Sequence, residues 1–286
     1  MSFMEFSKEL NSLLNLPNIE HEIIGYSVLN RPIYMFHVGP KIGKQIFIEG
    51  GTHAREYVTS LALFRLIRYL SENPPETGIY IVPVVNPDGL ALVLNGLNSV
   101  ADFSKRNMIK NINNGEDFSQ WKANANGVDI NVNFDALWGK GIQNVFTPSP
   151  ANFVGYAPNS EPETRAIIKA LLKVKPELSL SLHTKGEIVY YGFEALCEKS
   201  MQRDREMAQE MAELLGYYPV KTVGSVGGVQ DFVSLIFDVP AFTIELGNNS
   251  LSHPIGKEYA DDIFEKVRIL IDNIEKFFEN PGVFWF

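Results

Sequence analysis

Three things are scarce in this sequence: cysteine, positive charge and long apolar runs. Cys197 is the only cysteine, so an intrachain disulfide framework is excluded. The 25 Lys and Arg residues face 34 Asp and Glu residues, a net charge of −9, which argues against a nucleic-acid partner bound through its phosphates. No apolar run reaches the ~20 residues that span a bilayer, and Glu5 and Glu9 lie where a signal peptide needs basic and then apolar residues. The sequence therefore predicts a cytoplasmic protein with neither a membrane nor a nucleic-acid partner.

The composition that remains is that of a globular protein. Of the 286 residues, 45% are hydrophobic and 12% are aromatic, which suffices for one large core. Short apolar and β-branched runs alternate with long amphipathic segments, a pattern typical of an α/β fold around a mostly parallel or mixed sheet. We expect a single domain over residues 1–286. The predicted strands are a hairpin of His21–Ser27 and Pro32–Val38, followed by Gln45–Glu49, Gly78–Val85, Leu178–His183 and Ala241–Leu246.

Apolar periodicity predicts four helices. In the last of them, apolar side chains from Ile263 to Phe277 recur every three or four residues and form one stripe. Ser160 and Glu163 have the spacing of a capping box at the start of another helix. Residues 95–158 are instead rich in Asn, Gly and Asp with little periodicity, which indicates a long functional loop. The predicted helices are Arg55–Leu70, Glu161–Leu172, Met201–Leu215 and one near Tyr259–Phe278.

Polar side chains stand at the carboxyl ends of three predicted strands. In the run LSLSLH the leucines share one face, and His183 ends the other. The alternation in AFTIEL puts Glu245 on a polar face, and two glycines after QIFIE permit a sharp turn before His53 and Glu56. Ligands of open α/β sheets bind at this carboxyl edge. The sequence therefore predicts that these four side chains lie close together.

Two imidazoles and one carboxylate suffice to bind a catalytic zinc, because three protein ligands leave the fourth position open for water. The spacing of His53 and Glu56 lets both face one ion, with His183 completing the site. Simpler interpretations exist: His183 as a hydrogen-bonded core histidine, and Glu56 as a carboxylate that interacts with a helix dipole. Glu245 is harder to explain in this way, because burial of an unpaired carboxylate is costly.

Five motifs follow one another along the chain. They are His53-Ala54-Arg55-Glu56, Asn86-Pro87-Asp88-Gly89, Gly127-Val128-Asp129-Ile130-Asn131, the strand-end His183, and Phe242-Thr243-Ile244-Glu245. In this order and spacing, over roughly residues 20–280, the sequence resembles the zinc carboxypeptidase family. The resemblance implies a three-layer α/β/α fold with a central mixed twisted sheet. It also implies one Zn²⁺ per chain, bound by His53, Glu56 and His183, with Glu245 as general base.

Three positions depart from that family's pattern. Lys122 stands where the family keeps an arginine that stabilises the oxyanion, so a lysine would act there as a point charge. Val132 follows Asn131 where carboxypeptidases have the arginine that clamps a terminal carboxylate. The family's mobile tyrosine falls near Val223. Because Asn131 offers only neutral hydrogen bonds, selectivity for a free C terminus should weaken.

The run from Trp121 to Asp129 is similar instead to the bacterial γ-D-glutamyl-diamino acid peptidases of the family. These enzymes cut between D-Glu and diaminopimelate in cell-wall peptides. Gln230 aligns with the floor of the side-chain pocket, where an amide suits a polar, zwitterionic end. Asp231 beside it either meets the ammonium group or caps the helix that follows. Arg55 is a further candidate for substrate binding.

These observations favour a zinc-dependent hydrolase of murein peptides that acts in cytoplasmic recycling or sporulation. One alternative is a related zinc hydrolase with another substrate: an ordinary carboxypeptidase, a deglutamylase or a small-molecule deacylase. Another is a non-catalytic binding protein with the same fold. The predicted partner is a peptide substrate, murein-derived in the first hypothesis, and the sequence leaves the oligomeric state open.

Overall fold

Eight strands form one sheet in the computed structural model, which describes residues 1–279. The strands are β1 (Glu20–Tyr26), β2 (Pro32–Val38), β3 (Gln45–Gly50), β4 (Gly78–Val82), β5 (Leu178–His183), β6 (Ile188–Tyr191), β7 (Tyr218–Lys221) and β8 (Ala241–Glu245). Their order across the sheet is β1-β2-β4-β3-β5-β8-β6-β7. All the predicted strands are present, and β6 and β7 are additional.

The centre of the sheet is parallel, because β3 pairs with β4 and β5, and β5 pairs with β8, in the parallel sense. Antiparallel pairs lie towards the edges, between β1, β2 and β4 and between β6 and β8. The predicted mixed sheet is therefore confirmed. In the register, Glu49 lies opposite Ser181, and His183 lies opposite Glu245. Three neighbouring strands thus bring their polar ends to one edge.

Helices cover both faces of this sheet. They are α1 (Phe3–Leu13), α2 (Tyr57–Glu72), α3 (Pro87–Asn95), α4 (Phe103–Asn113), α5 (Pro162–Val174), α6 (Glu198–Leu215), α7 (Val229–Phe237), α8 (Ala260–Asp272) and α9 (Lys276–Glu279). One core packs α1, α2, α6 and α8 against the face that carries the β5 leucines, and another packs α5 and α7 against the opposite face. This arrangement confirms the predicted three layers. None of the described helices is long and apolar enough to cross a membrane.

Several element boundaries differ from the prediction. β4 ends at Val82, because Pro83 has no N–H to donate to the ladder. A 3-10 turn, Ala54–Glu56, precedes α2, so the α-helix begins at Tyr57. The predicted final helix is broken between α8 and α9, although Ile274 within the break and Phe277 in α9 remain buried as the stripe predicted.

The segment 95–158 is not a bare loop. It contains α4, which periodicity did not reveal because only Ile109 of that helix is buried. Trp121 and Phe118 pack edge to face, with ring centroids 5.5 Å apart, inside a small third core that also includes Ile109. This core fixes the stretch of chain that leads to Lys122 and Asp129.

The predicted capping box at Ser160 and Glu163 is wrong. The N-cap of α5 is Glu161, which makes no side-chain cap, and Pro162 opens the helix with its fixed φ. Ser160 Oγ donates instead to Glu161 Oε1 at 2.7 Å. Glu163 points inward, where its carboxylate accepts a hydrogen bond from the Val28 backbone N–H at 3.1 Å. Tertiary burial has overridden the local pattern.

Candidate metal centre and active site

The first two predicted ligands lie on the turn after β3. Gly51 makes this turn with φ +65, and a Cβ there would approach Ser60 Oγ to 2.4 Å, so only glycine fits without strain. The chain then passes through His53 into the 3-10 turn that ends at Glu56. His53 Nδ1 lies 3.0 Å from Glu56 Oε1. The three-residue spacing therefore brings the imidazole and the carboxylate face to face, as the sequence predicted.

The third predicted ligand arrives from the end of β5. His183 Nδ1 lies 3.0 Å from Glu56 Oε2 and 3.1 Å from His53 Nδ1. Around a tetrahedral zinc with bonds of about 2.0–2.1 Å, neighbouring ligand atoms are separated by about 3.3 Å, so these atoms have the spacing of one ion's ligands. His53, Glu56 and His183 are the group of described residues that could hold a metal ion. The donor set fits zinc.

Buried charges stabilise one another in this cluster. Burial alone would raise the pKa of Glu56, but the charge of His53 and hydrogen bonds from both histidines hold it well below its ordinary value. Burial would lower the pKa of His183, yet its hydrogen bond with Glu56 and the charge of that carboxylate raise it. The Thr184 backbone N–H also donates to Glu56 Oε2, at 3.2 Å. The carboxylate is thus kept ionised, as a metal ligand must be.

Asp129 is a component of the site to which the sequence assigned no role. Its Oδ1 lies 3.3 Å from His53 Nε2, and backbone N–H groups of Asn131 and Asn152 donate to its two oxygens at 3.1 and 3.0 Å. Burial opposes ionisation of Asp129, but the charges of His53 and then Lys122 hold its pKa below the ordinary value. A carboxylate on the far nitrogen fixes the ring so that Nδ1 faces the metal position.

The predicted general base ends β8. Glu245 stands opposite His183 in the register, so both side chains lie on the same face of neighbouring strands. Its carboxylate opens into the cavity, and Oε2 has no hydrogen-bond partner among the described residues. Burial, and after it the charge of Glu56, raises the pKa of Glu245 to about 7. The structure therefore brings His53, His183 and Glu245 to one cavity, and Glu56 contacts both of these histidines.

This cavity has a volume of about 380 Å³. Its wall contains both metal-site histidines and most of the predicted substrate-binding residues. It also contains Tyr190, which sequence reasoning did not single out, and Thr243, to which it gave no role. The lining residues that the argument uses are His53, Lys122, Asp129, Asn131, Val132, His183, Val223, Gln230, Asp231 and Glu245.

Lys122 occupies the predicted place beside the metal centre. Its Nζ lies 3.8 Å from Asp129 Oδ2, and it lines the same cavity as Glu245. A positive charge therefore faces the cavity that Glu245 lines, and its role in stabilising an oxyanion stays a prediction. Because the lysine also faces Asp129, part of its charge is already compensated.

Two glycines bring α7 against the cavity wall. Gly227 has φ +92, and a Cβ on Gly228 would approach Asn131 Oδ1 to 2.7 Å. This close approach carries Gln230 and Asp231, both on the first turn of α7, into the lining. The glycine pair thus explains how residues distant in sequence come to share a wall with Asn131.

Asp231 and Gln230 each make a hydrogen bond to the backbone and also line the cavity. Asp231 Oδ2 accepts from the Gly228 backbone N–H at 3.0 Å, so the capping interpretation is confirmed while the residue also lines the cavity. Burial raises the pKa of Asp231 to about 7. Gln230 Nε2 donates to the Gly192 carbonyl at 3.0 Å, which fixes the orientation of the amide at the cavity wall.

Arg55 does not lie in the lining of this cavity. Its Nη1 donates to Gln120 Oε1 at 3.2 Å in an exposed hydrogen bond. A role for Arg55 in substrate binding therefore stays a prediction without a contact in the cavity.

A buried His-Glu-His cluster with a facing carboxylate, at the carboxyl edge of a mixed sheet, is the arrangement of an α/β zinc hydrolase. The profile of the zinc carboxypeptidase family, Peptidase_M14, matches residues 8–258, and the chain belongs to this family. The prediction of a zinc hydrolase, with zinc as cofactor, is thereby confirmed over the interpretation as a non-catalytic protein.

Two relatives illustrate the range of similarity. γ-D-Glutamyl-L-diamino acid endopeptidase 1 of Lysinibacillus sphaericus is 33% identical over 273 residues, which cover 88% of this chain and 68% of that protein. Murein peptide amidase A of Escherichia coli K12 is 29% identical over 174 residues, covering 58% of this chain and 59% of that one.

Solved structures show the same fold. Bovine thrombin-activatable fibrinolysis inhibitor, in complex with tick carboxypeptidase inhibitor, superposes with a TM-score of 0.76 at 19% identity and covers 98% of both chains. The murein-tripeptide amidase of Escherichia coli O157 superposes with a TM-score of 0.60 at 22% identity, covering 92% of this chain and 94% of that one. These similarities confirm the predicted three-layer architecture.

Proposed function

We propose that this zinc metallopeptidase hydrolyses the amide bond between the γ-carboxyl of D-Glu and diaminopimelate in murein peptides. The observation that carries the proposal is the charge pattern of the cavity: an acidic group, Asp231, on its wall, and Val132 where a carboxylate-binding arginine would stand. The similarity to an endopeptidase named for this bond, over 88% of the chain, supports the proposal. A cytoplasmic location and a single domain over residues 1–286 stay predictions of the sequence.

The residues of the site divide the hydrolytic step among them. A zinc ion held by His53, Glu56 and His183 would polarise the scissile carbonyl and lower the pKa of the attacking water. Glu245 accepts a proton from that water and passes it to the leaving amine nitrogen. Lys122 faces the negative charge that develops on the carbonyl oxygen.

The lining charges favour diaminopimelate as the leaving group. Its side chain ends in a second amino group and a second carboxylate; Asp231, the acid that α7 contributes to the cavity, can meet the amino group, and the Gln230 amide lies beside it. Among the described lining residues, Lys122 is the only lysine or arginine, and it lies 3.8 Å from Asp129 Oδ2. A carboxylate beyond the scissile bond therefore finds no free bidentate partner. The site should accept peptides that continue past diaminopimelate.

The test is peptide cleavage with mass readout. We would incubate zinc-loaded protein with L-Ala-γ-D-Glu-meso-diaminopimelate, with the same peptide amidated at the carboxylate next to the scissile bond, and with a blocked dipeptide that ends in Phe. We expect cleavage of the first two at similar rates and little cleavage of the third. Glu245→Gln serves as the inactive control.

Each result bears on the proposal differently. Cleavage of the Phe dipeptide alone would contradict it and indicate an ordinary carboxypeptidase. Cleavage of the free peptide but not the amidated one would keep the γ-D-glutamyl specificity, yet contradict the inference drawn from Val132.

A further inference from the structure

The two metal-site histidines differ in what holds their second ring nitrogen. His53 Nε2 lies 3.3 Å from Asp129 Oδ1, whereas His183 Nε2 is buried without a hydrogen-bond partner among the described residues. Metal-binding histidines almost always donate the second N–H to an oxygen, which fixes tautomer and ring orientation. His183 therefore lacks a visible counterpart to Asp129.

Two more unpartnered polar atoms lie next to it. Ser181 precedes His183 by two residues in β5, so the two side chains share a face, and Glu49 of β3 lies directly opposite Ser181. Ser181 Oγ and Glu49 Oε1 both lack partners among the described residues, while Glu49 Oε2 accepts from Thr52 Oγ1 at 2.5 Å. Glu49, Ser181 and His183 are at most 2% exposed. Buried polar atoms in native proteins are normally paired.

The three groups have complementary hydrogen-bonding capacities. An imidazole N–H donates, a hydroxyl accepts and donates, and a carboxylate oxygen accepts. Ser181 is the neighbour of both other residues: it lies two residues before His183 on β5 and directly opposite Glu49 on β3, the middle position that such a chain requires. Thr52 already holds the other Glu49 oxygen, so the carboxylate has one oxygen left for this purpose.

These three atoms are not hydrogen-bonded to one another in the structure. We propose that on metal binding the Ser181 hydroxyl and the Glu49 carboxylate rotate to form a hydrogen-bond relay from His183 Nε2–H, in which the serine hydroxyl accepts from the imidazole and donates to Glu49 Oε1. This relay keeps the proton on Nε2 and leaves Nδ1, the atom that faces Glu56, free to bind the metal. Glu49 and Ser181 are thus positioning residues that together orient the His183 ring. Asp129 alone orients the His53 ring in the same way.

The relay is tested by metal affinity rather than activity. We would measure the zinc dissociation constant of the metal-free protein by competition with a chromophoric chelator, for Glu49→Gln, Ser181→Ala and the double variant. Loss of such partners weakens metal binding by roughly 10- to 100-fold, so we expect about tenfold for each single variant. Because both groups act in one chain, the double variant should bind no more weakly than the weaker single one.

Ser179 provides a matched control. It lies on the same strand and face as Ser181, opposite Phe47, and its Oγ is also buried and unpartnered among the described residues. Ser179→Ala should change the dissociation constant by less than about twofold, since Ser179 is one step further from His183. An equal loss in Ser179→Ala would overturn the relay and indicate a general effect of strand packing.

A second readout reports the hydrogen bond of His183 directly. In ¹⁵N NMR spectra of the zinc-loaded wild-type protein, where Nδ1 is occupied by the metal, the Nε2–H of His183 should be protected from exchange with water, and Ser181→Ala should speed that exchange. Unchanged zinc affinity in Ser181→Ala would overturn the proposal even if Glu49→Gln failed to fold. No peptide is used, so the result is independent of the substrate proposed above.

Discussion

The two ends of the cavity use their polar groups in different ways. At the metal end, Glu56 contacts both histidines and the Thr184 backbone, and Asp129 holds His53, so each group is fixed by others. At the other end, Asp231 and Gln230 make hydrogen bonds only to backbone groups, and the Val132 side chain offers no polar group. The metal end is thus built for one geometry, and the other end keeps free capacity for a ligand. Chemistry and selectivity should therefore respond separately to mutation.

The largest expected effect comes from breaking the metal end. In His183→Ala, the metal loses one of three protein ligands, and His53 and Glu56 lose the contacts at 3.1 and 3.0 Å. We expect the purified variant to retain no stoichiometric zinc and its activity to fall by more than the roughly 10⁴-fold upper range for a lost proton-transfer group. Metal analysis and peptide cleavage would measure both. Full zinc content in this variant would contradict the assignment of His183 as a ligand.

The next effect separates chemistry from metal binding. Glu245→Gln should keep the zinc, because Glu245 is not among the grouped ligand residues, and should lose about 10²- to 10⁴-fold in kcat. The glutamine has similar size but cannot accept the proton. Activity within tenfold of wild type, with normal zinc content, would show that another group acts as the base.

Asp231→Asn addresses the selective end of the cavity. The asparagine keeps an oxygen that can accept from Gly228 N–H, so the cap of α7 survives while the negative charge is lost. A hydrogen bond to a charged group contributes about 1.5–3 kcal/mol, so kcat/KM for the diaminopimelate peptide should fall by roughly 10- to 100-fold. A peptide with norleucine in place of diaminopimelate should be hardly affected. Equal losses for both peptides would favour a purely structural Asp231.

Val132→Arg should give the cavity the carboxylate-binding group that it lacks. Val132→Arg places a guanidinium in the cavity beside Asn131, where it can hold a terminal carboxylate in a bidentate pair. Cleavage of the blocked dipeptide with C-terminal Phe should rise by about tenfold, the gain from a modest charged hydrogen bond. An unchanged rate would show that the missing arginine does not explain the selectivity.

The metal end could be predicted from sequence because its signals are local. Strand alternation placed His183 and Glu245 on one face, and a three-residue spacing after two glycines placed His53 and Glu56 on one turn. Asp129 was quoted in a motif but given no role, because its contact with His53 depends on how the chain folds back around the core of Trp121. A metal-binding histidine needs a carboxylate or carbonyl behind it, and that requirement could have pointed to Asp129.

In other parts of the molecule, contacts between residues distant in sequence determine structure that local sequence patterns do not predict. The run Ser160 to Glu163 has the composition of a capping box, yet Glu163 is buried and bonded to Val28 and Asn124. α4 escaped prediction because one buried residue makes no periodic stripe. Arg55 illustrates the same limit: its position between two metal ligands suggested a substrate contact, but its side chain faces Gln120.

The smallest effect on activity is expected from Glu163, which lies outside both ends of the cavity and should alter stability instead. Burial, with a further contribution from the charge of Asp88, raises its pKa from the ordinary 4.5 to about 8. Between these two values the unfolded chain releases the proton while the folded protein keeps it. The unfolded state then binds fewer protons, so the free energy of unfolding falls as pH rises from 4.5 to 8.

Glu163→Gln removes this titration while keeping a neutral side chain of similar size. One group changes the free energy of unfolding by at most about 1.4 kcal/mol per pH unit. Subtracting the variant's curve from that of the wild type cancels the contributions of other groups such as Asp231. Urea unfolding at intervals between pH 4.5 and 8 would measure both curves. Parallel curves would show that Glu163 is ionised in the folded protein, and that hydrogen bonds from Val28 and Asn124 outweigh its burial.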